Sequence, residues 1–216
     1  MTKENKMQAS EGKYFAKIPV QERGKLRFNT ILASAEILLL ELDVEEISFH
    51  KIAKHAGVSA TSVYQYFPTM GALFSTIAEA HFVKTFDIVN EKIDETCIRK
   101  WQDLVNVLVD ATYEFYSKDK ISKLFSLGSN NAPGVKEQTA ERISRFADWY
   151  TDKFSLLYRK KDLALLTEKI AICVEIMRGI YIRSLSIHGK LTEFYREESR
   201  IVLLHYMNVF FEPLEK

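Results

Sequence analysis

Apolar residues recur along most of the chain at the spacing of α-helices. In the first strong segment, from about Val20 to Leu42, they lie three and four residues apart on one face. These positions are Phe28, Ile31, Leu32, Ala35, Leu38 and Leu39. No segment alternates between apolar and polar residues as a half-buried strand does, and no unit repeats along the chain. The pattern predicts an all-α fold.

About nine helices are predicted, three short or medium ones followed by six that form a bundle. The first three run from about Val20 to Leu42, from Ser48 to His55 and from Ser59 to Phe67. The other six run from about Met70 to Glu95, Trp101 to Tyr116, Ile121 to Leu127, Val135 to Arg159, Asp162 to Ile187 and Leu191 to Phe211. Residues 128–134 carry the one clear loop signal. The polar residues 1–19 are interpreted as a flexible arm.

Composition supports long helices with few turns, since 216 residues include only 8 Gly and 4 Pro. The 14 Phe and 10 Tyr allow a large core or an aromatic-lined cavity. A net charge of +1 excludes a uniformly basic coat for nucleic acid, but not a local patch. Residues 13–27 provide such a patch, because five Lys and Arg residues stand there against a single acid, Glu22.

Several classes of function are disfavoured by what the sequence lacks. Cys97 and Cys173 stand apart and the histidines are scattered, so we expect no metal, no cofactor and no disulfide framework. Glycine-rich phosphate loops and nucleophile elbows are absent, which argues against an enzyme. Neither an apolar signal core nor a membrane-length apolar run is found, and a cytoplasmic protein is expected.

The segment from Ser48 to Phe67 predicts a helix-turn-helix. Two short helices with serine caps flank Gly57, which supplies a tight turn. Five apolar residues are spaced to form one small core. They are Ile52, Ala53, Val58, Val63 and Phe67. Such a unit can project the second helix into a DNA major groove about 12 Å wide.

The same region resembles the DNA-binding domain of the tetracycline-repressor (TetR) family. The residues that carry the resemblance are Ile31, Leu32, Ala35, Leu38, Ser48, Ile52, Ala53, Ala56–Ser59, Val63–Pro68 and Leu73. The resemblance implies a homodimeric regulator with DNA-binding second and third helices, a small effector in the bundle and a dimer interface on the last two helices. It divides the chain into an arm (1–19), a DNA-binding domain (20–69) and an effector-binding and dimerisation domain (70–216).

By the same resemblance, the groove-facing positions are Ala60, Thr61, Ser62, Gln65 and Tyr66, with His50 on the preceding helix. Ser48, Ser59, Thr61 and Tyr64 are placed for phosphates, and Lys25 and Arg27 belong to the basic arm. Tyr64 could instead pack beside Phe67, and His50 could simply face solvent. The chain departs from the family at Met70, where a phosphate-binding lysine is usual, and at Asp43, where glycine is frequent but aspartate also tolerates a left-handed backbone.

The bundle offers a candidate ligand pocket and a candidate dimer surface. The predicted pocket residues are Phe82, Phe86, Trp101, Leu104, Leu108, Phe146, Trp149, Tyr150 and Glu175. Each aromatic could instead belong to the core, and Glu175 could anchor a cationic ligand, pair with Arg178 or face solvent. The last two helices are apolar on more than one face. Their expected contacts with a second subunit are Ile172, Ile176, Ile180, Ile201 and Leu204.

The sequence therefore predicts a DNA-binding transcriptional regulator. The leading hypothesis is a dimeric repressor that reads a near-palindromic operator and is released by a small hydrophobic or aromatic effector. The alternative is a DNA-binding dimer whose bundle serves only dimerisation or a protein partner. No membrane partner is expected.

Overall fold

The structure is a computed structural model that describes residues 15–128, 135–157 and 162–211. This part of the chain contains nine α-helices, one 3-10 turn and no strand, which confirms the predicted all-α fold. The predicted arm up to residue 14, most of the loop at 128–134 and the predicted helix end at Arg159 lie outside the described residues.

The nine helices begin and end within a few residues of their predicted limits. They are α1 (Glu22–Glu41), α2 (Phe49–Ala56), α3 (Ala60–Tyr66), α4 (Met70–Glu95), α5 (Trp101–Lys118), α6 (Lys120–Leu127), α7 (Val135–Ser155), α8 (Leu163–His188) and α9 (Glu193–Phe211). The chain divides into two compact units. Among the described residues, unit 1 contains 15–81 with 135–138, and unit 2 contains 82–128 with 139–157 and 162–211, so α4 contributes to both.

Unit 1 is organised around the contact of α1 with the end of α3. The ring of Phe28 stacks on Phe67 with centroids 4.8 Å apart and meets Tyr66 edge to face at 5.8 Å. Ile52 and Val63 are fully buried beside them. The predicted small core is therefore present, although Val58 is only half-buried.

The turn between α2 and α3 has the expected local chemistry. Gly57 adopts φ 64° and ψ 31°, a left-handed conformation that glycine enters without a Cβ penalty. The Val58 N–H donates to the Ala53 carbonyl at 3.0 Å, which closes the end of α2. Ser48 Oγ accepts from the Lys51 N–H, and Ser59 Oγ accepts from the Ser62 N–H. Both predicted caps are therefore confirmed.

The end of α1 differs from the expectation. No left-handed residue is needed, because Leu42 and Asp43 are both extended. Asp43 instead begins the 3-10 turn Val44–Glu46, and its N–H donates to the Glu46 carboxylate at 3.3 Å. Asp43 and Glu46, three residues apart, thus follow this helix where the resemblance led us to expect a left-handed residue.

Aromatic residues fill much of unit 2. The Tyr150 hydroxyl donates to the Leu104 carbonyl at 2.7 Å, and the Tyr181 hydroxyl donates to the Val109 carbonyl at 3.1 Å. Burial raises the pKa of both phenols, so they remain neutral donors. Trp101 stacks on Phe211 at 4.9 Å and joins the start of α5 to the end of α9.

A charge network also holds α9 against α5. One carboxylate oxygen of Asp110 accepts from Arg196 Nε at 2.8 Å and from Arg200 Nη2 at 2.6 Å. Arg200 also donates to the side-chain oxygen of Asn106 at 3.0 Å. These side chains are less than a quarter exposed, so the pairing is shielded better than a surface ion pair.

Replacing Gly57 tests the left-handed turn. A Cβ at Gly57 would meet no atom within 4 Å, so the cost of Gly57→Ala is conformational alone. We expect Gly57→Ala to destabilise unit 1 by about 1–2 kcal/mol, which is the usual left-handed penalty. Gly57→Asn should cost less, because asparagine tolerates this region. Denaturant unfolding followed by hydrogen exchange in α2 and α3 measures both variants, and equal stabilities would contradict the assignment.

Candidate functional site

The exposed face of α3 consists of three side chains at helical spacing. Thr61, Tyr64 and Gln65 all point to solvent, and Tyr64 is 51% exposed. Positions three and four apart lie on one helix face, so these side chains form one continuous surface. His50 on α2 is exposed as well. This surface can offer hydrogen-bonding groups to a DNA groove.

Tyr66 does not belong to that surface, and its predicted groove contact is corrected. The side chain is only 8% exposed and its ring packs on Phe28. Tyr66 lies three residues after the buried Val63, so the helical period turns it inward. Ala60 and Ser62 are half-buried at the start of α3.

The predicted phosphate-binding serines are already engaged as helix caps. Ser48 and Ser59 each accept a backbone N–H, and Ser59 Oγ lies 2.9 Å from Ser62 Oγ. A hydroxyl that accepts one bond still carries a proton to donate. Ser48 can therefore cap α2 and bind a phosphate at the same time.

Tyr64 is held from below by Phe49. The two rings meet edge to face with centroids 4.7 Å apart, and Phe49 is buried. The alternative contact of Tyr64 with Phe67 is not the one observed. An edge-to-face pair restricts the tyrosine ring while its hydroxyl stays at the exposed end. Phe49 was missed in the sequence because it reads as an ordinary core position.

The exposed cations of α1 and α2 differ in whether an acid already pairs with them. Lys25 is paired with Glu22 at 2.7 Å, an exposed pair that a phosphate can replace at little cost. Arg27 is exposed and makes no ion pair with another described residue. Lys51 and Lys54 on α2 are also exposed and were missed. Their position opposite the buried Ile52 could have identified them.

The segment before α1 lies against the end of α3. The backbone N–H of Lys17 donates to the Tyr66 carbonyl at 2.7 Å. Pro19 approaches Gly24 so closely that a Cβ there would lie 2.8 Å from the proline Cβ. The part of the basic patch that begins at Lys17 is therefore held beside α3. At the other end of the motif, α4 begins at Met70 with no cation, and Thr69 caps it through the Ala72 N–H at 3.1 Å.

In unit 2, many of the predicted pocket residues form a chain of touching rings. Phe86 lies 5.2 Å from Phe82, 5.2 Å from Phe146 and 5.1 Å from Trp149, measured between centroids. Phe146 stacks on Tyr150 at 5.5 Å. These rings pack on one another. Most of them therefore belong to the packed core and do not line an open pocket.

Two spaces lie beside this chain of rings. An interior gap of about 10 Å³ is lined by Val105, Leu108, Tyr150, Phe154, Ile170, Cys173, Leu203 and Met207. A cavity of this size holds about one water molecule. Burial raises the pKa of the Cys173 thiol to about 12, so the gap is lined by neutral groups. The second space is a surface cleft of about 390 Å³, lined by Phe86, Asp87, Asn90, Glu91 and Trp149.

The predicted pocket is thus divided, and two of its members are elsewhere. Glu175 is half exposed and lies 3.5 Å from Arg178, which corrects its assignment to the pocket in favour of the ion-pair alternative. Trp101 is buried against Phe211 and lines neither space. Leu108 and Tyr150 line the gap, whereas Phe86 and Trp149 line the cleft. Leu104, Phe82 and Phe146 belong to the surrounding packing.

The predicted dimer residues form a partly exposed apolar surface on α8 and α9. Ile172 is 36% exposed and Ile201 is 49% exposed. Ile176, Ile180 and Leu204 are half-buried. The opposite face of α8 is buried within the chain at Leu166, Ile170 and Tyr181. The two apolar faces expected of this helix are therefore present.

Two further properties concern the described residues as a whole. None of their helices combines the length and apolar character that crossing a membrane requires. No three of their His, Cys, Asp and Glu side chains gather in a group that could hold a metal ion.

Comparison with known proteins bears directly on the helix-turn-helix. Residues 31–77 match the family model described as bacterial regulatory proteins, tetR family. The helix-turn-helix of this chain is thus similar to the DNA-binding domain of TetR-family regulators. Among curated proteins, no match to this chain was found.

Solved structures of similar fold extend over most of the chain. A TetR-family transcriptional regulator from Streptomyces coelicolor has a TM-score of 0.66 at 21% identity, over 84% of this chain and 98% of that one. The fatty acid degradation regulator FadR from Bacillus halodurans has a TM-score of 0.58 at 12% identity, over 88% and 96%. The flavonoid-responsive regulator FrrA has a TM-score of 0.53 at 20% identity, over 85% and 96%. At these identities the likeness concerns the fold.

Tyr64 and Phe49 allow a test of the TetR-type interface. Tyr64→Phe keeps the ring on Phe49 and removes only the hydroxyl. We expect it to weaken binding to a random-sequence duplex about tenfold, because a bond to a charged phosphate is lost. Phe49→Leu should weaken binding less, and it should add nothing in the Tyr64→Phe background, since both act through the same hydroxyl.

Fluorescence anisotropy at fixed salt measures these affinities. Tyr195→Phe in α9 serves as the matched control and should leave them unchanged. Additive losses in the double variant would contradict a positioning role for Phe49.

Proposed function

We propose that this protein is a TetR-type homodimeric repressor that leaves its near-palindromic operator when a small molecule binds the bundle. The observation that carries the proposal is the exposed face of Thr61, Tyr64 and Gln65, held between two capped turns and flanked by Lys51 and Lys54. Groups on a short, fixed helix can read base edges, while the flanking cations bind phosphates.

Sequence reading is assigned to Gln65 and Thr61, and backbone contact to the surrounding groups. Glutamine can make two hydrogen bonds to the major-groove edge of an adenine, at N6 and N7, whereas hydroxyls and ammonium groups favour phosphate oxygens. Ser48, Ser59, Tyr64, Lys25 and Arg27 make the phosphate contacts in this proposal, with His50 beside them. Lys51 and Lys54 supply the positive charge that Met70 does not.

Dimerisation is assigned to the apolar surface of α8 and α9. Exposed Ile172 and Ile201 lie with Ile176, Ile180 and Leu204 on helices whose other faces are already buried. A second copy placed by a two-fold axis would cover this surface with four helices. Two recognition helices about 34–36 Å apart would then meet successive major grooves.

The bundle could bind a small-molecule effector, or it could serve only dimerisation or a protein partner. A hydrophobic ligand would have to open the core, since the interior gap is only about 10 Å³. The closed core favours the second candidate function, a DNA-binding dimer whose bundle serves dimerisation or a protein partner. A small molecule that controls DNA binding must bind the DNA-released conformation more tightly than the DNA-bound one.

The dimer proposal is tested by charges placed on the apolar surface. Ile172→Asp and Ile201→Asp should each weaken dimerisation at least tenfold, roughly the cost of a disrupted interface hot spot. Sedimentation at micromolar concentration measures the change. Val83→Asp alters an equally exposed residue on α4 and should leave the dimer intact. A monomeric wild-type protein, or dimeric aspartate variants, would sink the proposal.

The effector proposal is tested by filling the interior gap. Cys173→Leu should make lipophilic compounds about tenfold less able to release a DNA operator selected from a random pool, because the leucine occupies their space. Cys97→Leu changes the exposed cysteine and serves as the control. Circular dichroism confirms that both variants remain helical. If no compound releases DNA from the wild type, the alternative function is favoured.

A further inference from the structure

The surface cleft between α4 and α7 combines two aromatic rings with two acids. Phe86 and Trp149 are half-buried and lie 5.1 Å apart, measured between ring centroids. Asp87 and Glu91 line the same cleft and are exposed. All four residues belong to unit 2. The volume of about 390 Å³ falls within the range of small-molecule pockets.

The two carboxylates are not neutralised by the protein. Asp87 and Glu91 are four residues apart on α4, so they lie on one face and repel each other. Neither forms an ion pair with any residue that the structure describes. The cleft therefore carries two carboxylates without a direct ion pair next to aromatic surface.

A lysine beside the cleft already displays the matching chemistry. The Lys153 ammonium lies 5.2 Å from the centroid of Trp149 and donates to the Asn90 side-chain oxygen at 2.8 Å. The electron-rich face of an indole attracts cations in this way. Lys153 is held by the ring and the amide, and it leaves both carboxylates unpaired.

We infer that this cleft binds a small organic cation with an apolar or aromatic body. The body packs on Phe86 and Trp149, and the positive centre replaces the Lys153 ammonium over the indole and faces Asp87 and Glu91. A hard metal ion fits less well, because it requires six or more oxygen ligands and gains nothing from the rings. Binding to the cleft does not depend on the proposed function. Only the role of the bound cation as an effector rests on it.

The test uses Trp149 as its own reporter. The chain has two tryptophans, so Trp101→Phe leaves Trp149 as the only one. We expect benzyltrimethylammonium to change its fluorescence saturably at low ionic strength. Neopentylbenzene has the same shape without the charge and should produce no saturable change. Added salt should weaken the binding of the cation, because the carboxylates are exposed.

Charge variants then locate the site. Asp87→Asn with Glu91→Gln should weaken binding at least about fivefold, as expected for two exposed charge interactions. Lys153→Gln should tighten binding about two- to fivefold, since it removes a competing cation. On the exposed face of α5, Lys118→Gln makes the same net charge change as Lys153→Gln, and Glu114→Gln removes one carboxylate outside the cleft lining. Both controls should have little effect.

These measurements need no DNA, so they separate the two proposals. Saturable binding without any release of the operator would leave the cleft site standing and count against effector control. Equal binding of the neutral compound, unchanged affinity in the double carboxylate variant, or no saturable signal would overturn the cleft site. Trp149→Leu, followed by calorimetry, provides a second check, and it should weaken binding of the cation while helicity is retained.

Discussion

The geometry of the DNA-binding unit depends on holding a helix of seven residues. Two turns of helix have little stability of their own, because nucleation costs more than so few hydrogen bonds return. Helix α3 is therefore fixed from outside, by the left-handed Gly57, by the Ser59 cap and by the packing of Tyr66 and Phe67 on Phe28. One face of α3 packs against the rest of unit 1, and only the opposite face remains exposed to contact DNA.

The same division explains what could be predicted from sequence. Caps and turns depend on local chemistry, so Ser48, Ser59 and Gly57 were identified correctly. Helix limits followed from apolar periodicity and from the scarcity of glycine and proline. The family resemblance places Tyr66 at the groove, whereas its position three residues after the buried Val63 turns it inward against Phe28.

The bundle was harder to predict because its features depend on packing between distant residues. Aromatic content indicated a core or a cavity, but the volume left between Leu108, Tyr150 and Cys173 depends on the complementary shapes of several helices. Glu175 lies in an apolar stretch of the sequence, yet its side chain is half exposed and lies 3.5 Å from Arg178. The sequence does not single out Asp87 and Glu91 as cleft residues, because charged residues on a helix usually just face solvent.

Asp110 shows how such packing couples residues that are distant in the sequence. A single carboxylate oxygen accepts from both Arg196 and Arg200, so the three residues form one unit although 86 positions separate the first two. Loss of the aspartate would leave both guanidinium groups paired with Glu193 and Glu197 of their own helix and without this carboxylate of α5. A designer who grafts α9 onto another bundle must therefore supply a carboxylate at the position of Asp110.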